Sequence, residues 1–154
     1  MMRTSAGLLP YRVVDGSVEV FLVHMGGPFW ARKDEGAWSL AKGEYTPGEE
    51  DPLEVAEREF AEEVGRPAPA GERLPLGEVR QSGKVVTAYA VLTDEDLAFV
   101  GSNVVRIEWP PRSGRMIGVP EVDRAEWMTL EQARVRMVKG QRAFLDRLPV
   151  PGER

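Results

Sequence analysis

Three carboxylates, Glu59, Glu62 and Glu63, recur at i, i+3 and i+4 within the stretch 51–64. On a helix that spacing makes them surface neighbours within about 100° of arc. Like charges so placed destabilise a helix unless something positive sits among them. The chain has no Cys and a single His, His24. Hard oxygen donors on a rigid element therefore favour Mg²⁺ or Mn²⁺ over zinc. A solvated acidic face is the common alternative, and charge spacing alone does not separate the two. Placement of charge is more informative. Segment 44–63 holds nine acids and one base, Arg58, whereas the other residues carry 16 acids and 19 bases, a net of +3. The formal charge of −5 over 154 residues argues against a dedicated nucleic-acid binder. It describes a neutral-to-basic protein with one acidic segment, and that segment needs a reason.

The elements that must position these acids are legible locally. Asp51 can cap a helix over 51–64, Pro52 suits its first position, and Glu54 completes an Asp-x-x-Glu capping box. Gly65 ends the helix and Pro67 forbids its continuation. Leu53, Ala56, Phe60 and Val64 form an apolar stripe suited to packing on a sheet. Residues 5–23 read as a hairpin around Asp15-Gly16, followed by a loop over 25–37 and a short strand at Trp38-Ser39-Leu40. Strands are expected near 74–80, 84–92 and 104–109, then a loop from Pro110 to Pro120. Leu130, Ala133, Met137, Phe144 and Leu148 share one face of a helix over 130–147, weakened at Gly140. The order predicts an α/β sandwich, one domain over 1–154.

The run Gly43-Glu-Tyr-Thr-Pro-Gly-Glu-Glu50-Asp-Pro-Leu-Glu-Val-Ala-Glu-Arg58-Glu59-Phe60-Ala-Glu62-Glu63-Val-Gly65 resembles the Nudix box, G-x5-E-x7-R-E-U-x-E-E-x-G-U. From Glu50 onward the spacing fits. Gly43 to Glu50 spans six residues instead of five, and the final aliphatic position is Arg66. Taking Glu49 as the first Glu would instead shift the register within the helix, which is costlier than one extra loop residue.

The resemblance implies an α/β/α sandwich with a mixed sheet and divalent metal held on the diphosphate of a nucleoside diphosphate-linked substrate. It assigns Glu59, Glu62 and Glu63 as metal ligands, with the Gly43 carbonyl as a further donor. Arg58 would pair with Glu50, a charge-assisted contact suited to tying loop to helix; an i,i+4 partnership with Glu62 is its other option. Metal ions would neutralise the pyrophosphate, polarise its oxygens and acidify a bound water, with Glu59 the first choice of base. Glu121 lies in the late loop where some Nudix hydrolases carry a further acid; Asp123 and Glu126 are lesser candidates.

Trp38-Ser-Leu-Ala41-Lys42-Gly43 resembles the W-x-x-P-K-G entry of dinucleoside polyphosphate hydrolases, with Ala41 in place of Pro. Lys42 is thus a candidate phosphate contact, and Arg112 and Arg115 are further cations that could steer an anion. Arg32 and Lys33 are similar candidates. Phe29, Trp30 and Trp109 could stack a base, whereas Trp38, Trp127 and His24 are expected to pack structurally, His24 without an apparent partner. The run from Arg3 to Leu148 is also similar to a bacterial Nudix group described as predicted nucleotide pyrophosphohydrolases. That group label fixes no substrate; dinucleoside polyphosphates are expected first, then nucleoside triphosphates, then ADP-ribose. Alternatives are a nucleotide-binding module without turnover and an enzyme acting on RNA 5′ ends. No DNA or membrane partner is expected, and no stretch approaches about 18 apolar residues. With no targeting signal visible, a cytoplasmic location is the default expectation.

Overall fold

Alternation of side chains along the strands explains the layering. In β1 (Arg3–Val14) Ala6 and Leu8 face one side while Leu9 and Tyr11 face the other. In β2 (Ser17–Met25) Phe21 and Val23 oppose Val20 and Leu22 in the same way. A strand that buries both faces requires helices on both sides of its sheet. The computed structural model, which describes residues 2–149, has this arrangement. Met1 and residues 150–154, the ends of the expected domain, lie outside the described residues.

The remaining strands are β3 (Trp38–Ser39), β4 (Ala41–Glu44), β5 (Leu74–Gln81), β6 (Lys84–Leu92), β7 (Val104–Glu108), β8 (Met116–Pro120) and β9 (Val122–Thr129). The main sheet is mixed and seven-stranded, ordered β3-β2-β1-β6-β5, with β4 also on β1 and β9 also on β2. Only β1 and β6 run parallel; the other pairs are antiparallel. β7 and β8 form a separate hairpin.

Helix α1 (Pro52–Val64) covers one face through Val55, Ala56, Phe60 and Val64. Leu53 is only half-buried, and Val55 takes the core position expected of it. Phe60 is fully buried, so truncation to Ala would cost about 3–5 kcal/mol. Asp51 caps the helix by accepting from Leu53 N, at 3.4 Å, rather than through a reciprocal box with Glu54. Gly65, at φ 85°, closes the helix in the left-handed conformation that its sequence position demanded.

Three further readings of the sequence need correction. The loop expected over 110–120 contains β8, and β9 follows immediately. The C-terminal helix is interrupted: α2 (Leu130–Arg136) stops where Met137 bridges to Trp38, a 3₁₀ turn spans Lys139–Gln141, and α3 covers Ala143–Asp146. Burial of Met137 against the sheet overrides helical continuity, so the break precedes Gly140. His24 has partners: its Nδ1 lies 2.8 Å from Asp123 and its Nε2 2.6 Å from the Lys33 carbonyl. Among the described residues no helix is long and apolar enough to cross a membrane.

Candidate active site

The C-terminal half of α1, β4 and the segment entering β9 meet at one end of the sheet. Gly43 on β4 faces α1 so closely that an added Cβ would overlap the Glu59 carboxyl group. Glycine is required there by approach, and the Glu59 head consequently lies against the β4 backbone. Glu63 is buried beside it and accepts from the Lys42 N–H at 3.3 Å. Glu62 points outward and is exposed, while its main-chain carbonyl accepts from Asn103 N at 3.1 Å.

Arg58 reaches back across the loop to Glu50, donating at 3.1 Å, and its Nε stands 3.7 Å from Glu59. The extra residue in the loop is accommodated by a turn at Thr46–Glu50 with Gly48 at φ 87°. Arg66, at the other departure from the box, is turned toward the 95–96 loop, where it donates to the Asp96 carbonyl at 3.1 Å and lies 3.4 Å from Glu95.

Glu121 joins this group from between β8 and β9. Asn103 Nδ2 donates to its carboxylate at 2.7 Å, and its backbone N–H bonds the Asn103 carbonyl at 3.0 Å. Asn103 thus connects the end of α1 to the aim of Glu121. Sequence reasoning passed over it, and only the preceding Ser-Asn pair, typical of turns and caps, offered a signal.

The electrostatics follow from this crowding. Burial, then repulsion by Glu121 and Glu59, pushes the Glu63 carboxyl well above the usual carboxylate range. Burial, then Glu62 and Glu121, raises Glu59 as well, with Arg58 opposing. Burial, then Lys84, lowers Lys42 from its ordinary value, while Glu63 and Glu121 support its charge. These acids lack enough positive charge nearby to be comfortable ionised.

Such a donor set fits a hard divalent cation in chemistry: every candidate atom is oxygen, and the only imidazole is engaged elsewhere. Glu62 lies close enough to Glu59 to raise it, and Glu59 close enough to Glu63 to do the same. Among the described residues no group of three potential ligands is already assembled. The reason is orientation, since Glu63 turns into the sheet while Glu62 turns to solvent.

Beside Glu63 and Glu121 opens a cavity of about 510 Å³. Phe29 and Trp30 from the 25–37 loop, Ile107 and Trp109 from the β7–β8 hairpin, and Lys42 line it. Lys33 lies 3.6 Å over the Phe29 ring rather than in the cavity. Arg112 and Arg115 are exposed at the tip of the β7–β8 hairpin and do not line the cavity. Trp38 is core, with its Nε1 donating to Asp34 at 3.0 Å, and Trp127 is half-buried beneath Arg12.

A two-faced mixed sheet with an acid-rich helix at the working edge defines a class, and comparison with known proteins identifies it. The chain belongs to the NUDIX domain family, matched over residues 1–148, and with it to hydrolases acting on pyrophosphate bonds. Solved structures with the same fold include the Ap4A hydrolase of C. elegans as a binary complex, at TM-score 0.58 and 20% identity, covering 94% of this chain and 93% of that one. The NUDIX domain of Shewanella oneidensis NrtR complexed with ADP ribose matches at TM-score 0.59 and 16% identity, covering 96% and 86%. The C-terminal domain of mouse MUTYH, complexed with human PCNA, matches at TM-score 0.59 and 18% identity, covering 96% and 87%. Comparison with curated proteins returns no match. Identities this low speak for the fold alone.

Proposed function

We propose that the protein is a Mg²⁺-dependent pyrophosphohydrolase cleaving a phosphoanhydride bond in a nucleoside diphosphate-linked compound. Dinucleoside polyphosphates stand first as substrates, before nucleoside triphosphates and ADP-ribose. The observation that carries the reading is the aromatic-walled cavity opening onto Lys42, Glu63 and Glu121 beside the box helix. Its size suits one nucleoside rather than two, placing a base between aromatic walls and its phosphates at the acids. The C. elegans relative is an Ap4A hydrolase and the NrtR domain was solved with ADP-ribose, which supports this substrate range.

Glu59, Glu62 and Glu63, with the Gly43 carbonyl, would hold Mg²⁺ or Mn²⁺. The bound ion would offset phosphate charge, polarise the phosphoryl oxygens and favour ionisation of water. The chain's own residues do the rest. Glu50 holds Arg58, Arg58 steadies Glu59, and Glu59 accepts the proton of the attacking water. Glu121 is held by Asn103 as a second acid at the same centre. Lys42 offsets phosphate charge in the cavity, and Trp30 orients the base. Arg112 and Arg115 steer the anion from the hairpin tip, without direct contact. Water adds to phosphorus, the bridging P–O bond breaks, and a nucleoside monophosphate and a second phosphate-bearing product leave.

Purified protein with Mg²⁺ should release these products from a nucleotide panel, and the Glu62→Gln, Glu63→Gln double variant should release none. Equal rates in the two proteins would sink the assignment. Tight nucleotide binding without turnover in Mg²⁺ or Mn²⁺ would indicate a binding module instead.

A further inference from the structure

Lys42 lies at the boundary between the aromatic cavity and a second pocket, on the sheet face opposite α1. It pairs with Gly7 across β1, and Gly7 pairs with Ala88 on β6, so all three share one face. Lys84 is four residues from Ala88 on the same strand and shares that face too. Gly7 has no side chain, and an added Cβ would overlap Leu40 Cδ1 and meet the Lys42 Cβ at 2.8 Å, so the glycine leaves room for both side chains to pack against β1. Lys42 and Lys84 both line the second pocket. Neither they nor Lys139 at the rim belongs to an ion pair among the described residues.

Gln81 contributes a donor whose direction is fixed by a buried network. The Leu40 N–H donates to Gln141 Oε1 at 3.1 Å, so the opposite end of that buried amide must be its NH2. That NH2 donates to Ser39 Oγ and to Gln81 Oε1, both at 2.9 Å. Gln81 has therefore given its oxygen to Gln141 and keeps its own NH2 for the pocket, which it lines beside Lys42 and Lys84. Gly140 allows the 3₁₀ turn to approach, since a Cβ there would stand 3.0 Å from the Gln81 Cβ.

We infer that Lys42, Lys84 and the Gln81 amide, with Lys139 at the rim, form a site for a further phosphate group of the substrate, beyond the two joined by the bond that is cleaved. Two ammoniums on one face without carboxylate partners and a fixed donor form a poor arrangement when empty and a good one around a multiply charged tetrahedral anion. Met25, Trp30, Lys42 and Gln81 line both this pocket and the aromatic cavity, so a phosphate chain starting in one can end in the other. The site rests on the hydrolase reading and narrows it. Substrates that carry a further phosphate beyond the two joined by the scissile bond, dinucleoside polyphosphates and nucleoside triphosphates, are favoured over ADP-ribose, whose only two phosphates flank that bond and whose far end is an uncharged ribose.

Calorimetric titration with inorganic tripolyphosphate in the presence of a chelator tests the site without the metal centre. Wild type should bind at one site, and Lys84→Gln should weaken binding about tenfold, the usual scale for one charge-assisted contact. Gln81→Glu keeps the acceptor for Gln141 but replaces the donor with an anionic oxygen, and should weaken binding further. In turnover, Lys84→Gln should lower the kcat/KM ratio of dinucleoside polyphosphate to ADP-ribose by a similar factor, through KM. No tripolyphosphate binding, or equal binding by wild type and both variants, overturns the site; so does an unchanged ratio. Tripolyphosphate binding with this variant pattern but no hydrolysis of any nucleotide would retain the site and overturn the hydrolase reading.

Discussion

The acids of the site are held in tension with folding. Glu63 is buried near Glu59 and Glu121, with only Lys42 nearby to offset it, so its charge opposes the folded state. Glu63→Gln should stabilise the metal-free protein by on the order of 1–2 kcal/mol, seen as a higher unfolding temperature, while removing turnover. Adding Mg²⁺ should stabilise wild type more than the variant; thermal melts with and without the ion give the comparison, and equal shifts would argue against Glu63 as a ligand. Asn103 makes a second case. Its Nδ2 aims Glu121 while its backbone N–H caps the Glu62 carbonyl. Asn103→Ala removes the first contact and leaves the second, so kcat should fall about tenfold or more with little change in KM or circular dichroism. Asn103→Asp sets an anion against Glu121 and should be worse than Ala. The pairing of Asn103 with Glu121 was not legible in sequence, because the two stand 18 residues apart and no local pattern records that closeness.

Elements whose signals are local were readable in advance. The first hairpin follows from Asp15-Gly16, both with positive φ, and α1 from its Asp-Pro start and Gly65 end. The missed elements depend on partners. β9, Val122–Thr129, interleaves charged residues along an edge strand that pairs only with β2, so its composition resembles loop. β8 hides within a Pro- and Gly-rich run because its bonds go to β7. The C-terminal periodicity was real, since Ala133, Met137, Phe144 and Leu148 are all buried, but the bridge from Met137 to Trp38 breaks the helix that periodicity implied. The loop before α1 offers a test at this scale. Arg58 engages Glu50, and its neighbour Glu49 has no ion pair among the described residues. Glu50→Gln should reduce kcat/KM about tenfold by loosening Arg58, whereas Glu49→Gln should stay within about twofold. Steady-state kinetics of the two variants read the register directly, and the reverse ranking would place the extra loop residue elsewhere.

At the scale of the molecule, charge and apolar surface are divided between the sides of one cleft. The acidic segment lies along α1 and its loop, and the aromatic walls come from two elements outside it: the 25–37 loop with Phe29 and Trp30, and the β7–β8 hairpin with Ile107 and Trp109. Acids alone would repel a pyrophosphate, so binding energy must come from the base and the chemistry from the box. That division predicts separable losses. Trp30→Ala or Trp109→Ala removes a stacking surface worth about 1–3 kcal/mol, hence KM should rise about tenfold or more while kcat changes much less. The hairpin joins the rest of the cleft through Glu121, whose N–H bonds Asn103 and whose carbonyl accepts from Gly26 at 2.9 Å. Truncating Trp109 should therefore leave the Glu121 contacts intact, and kcat with them. Steady-state kinetics on a dinucleoside polyphosphate measure both quantities at once. If Trp109→Ala lowered kcat and left KM unchanged, the cavity would be serving the chemical step rather than the base, and the division of labour argued for this cleft would be wrong.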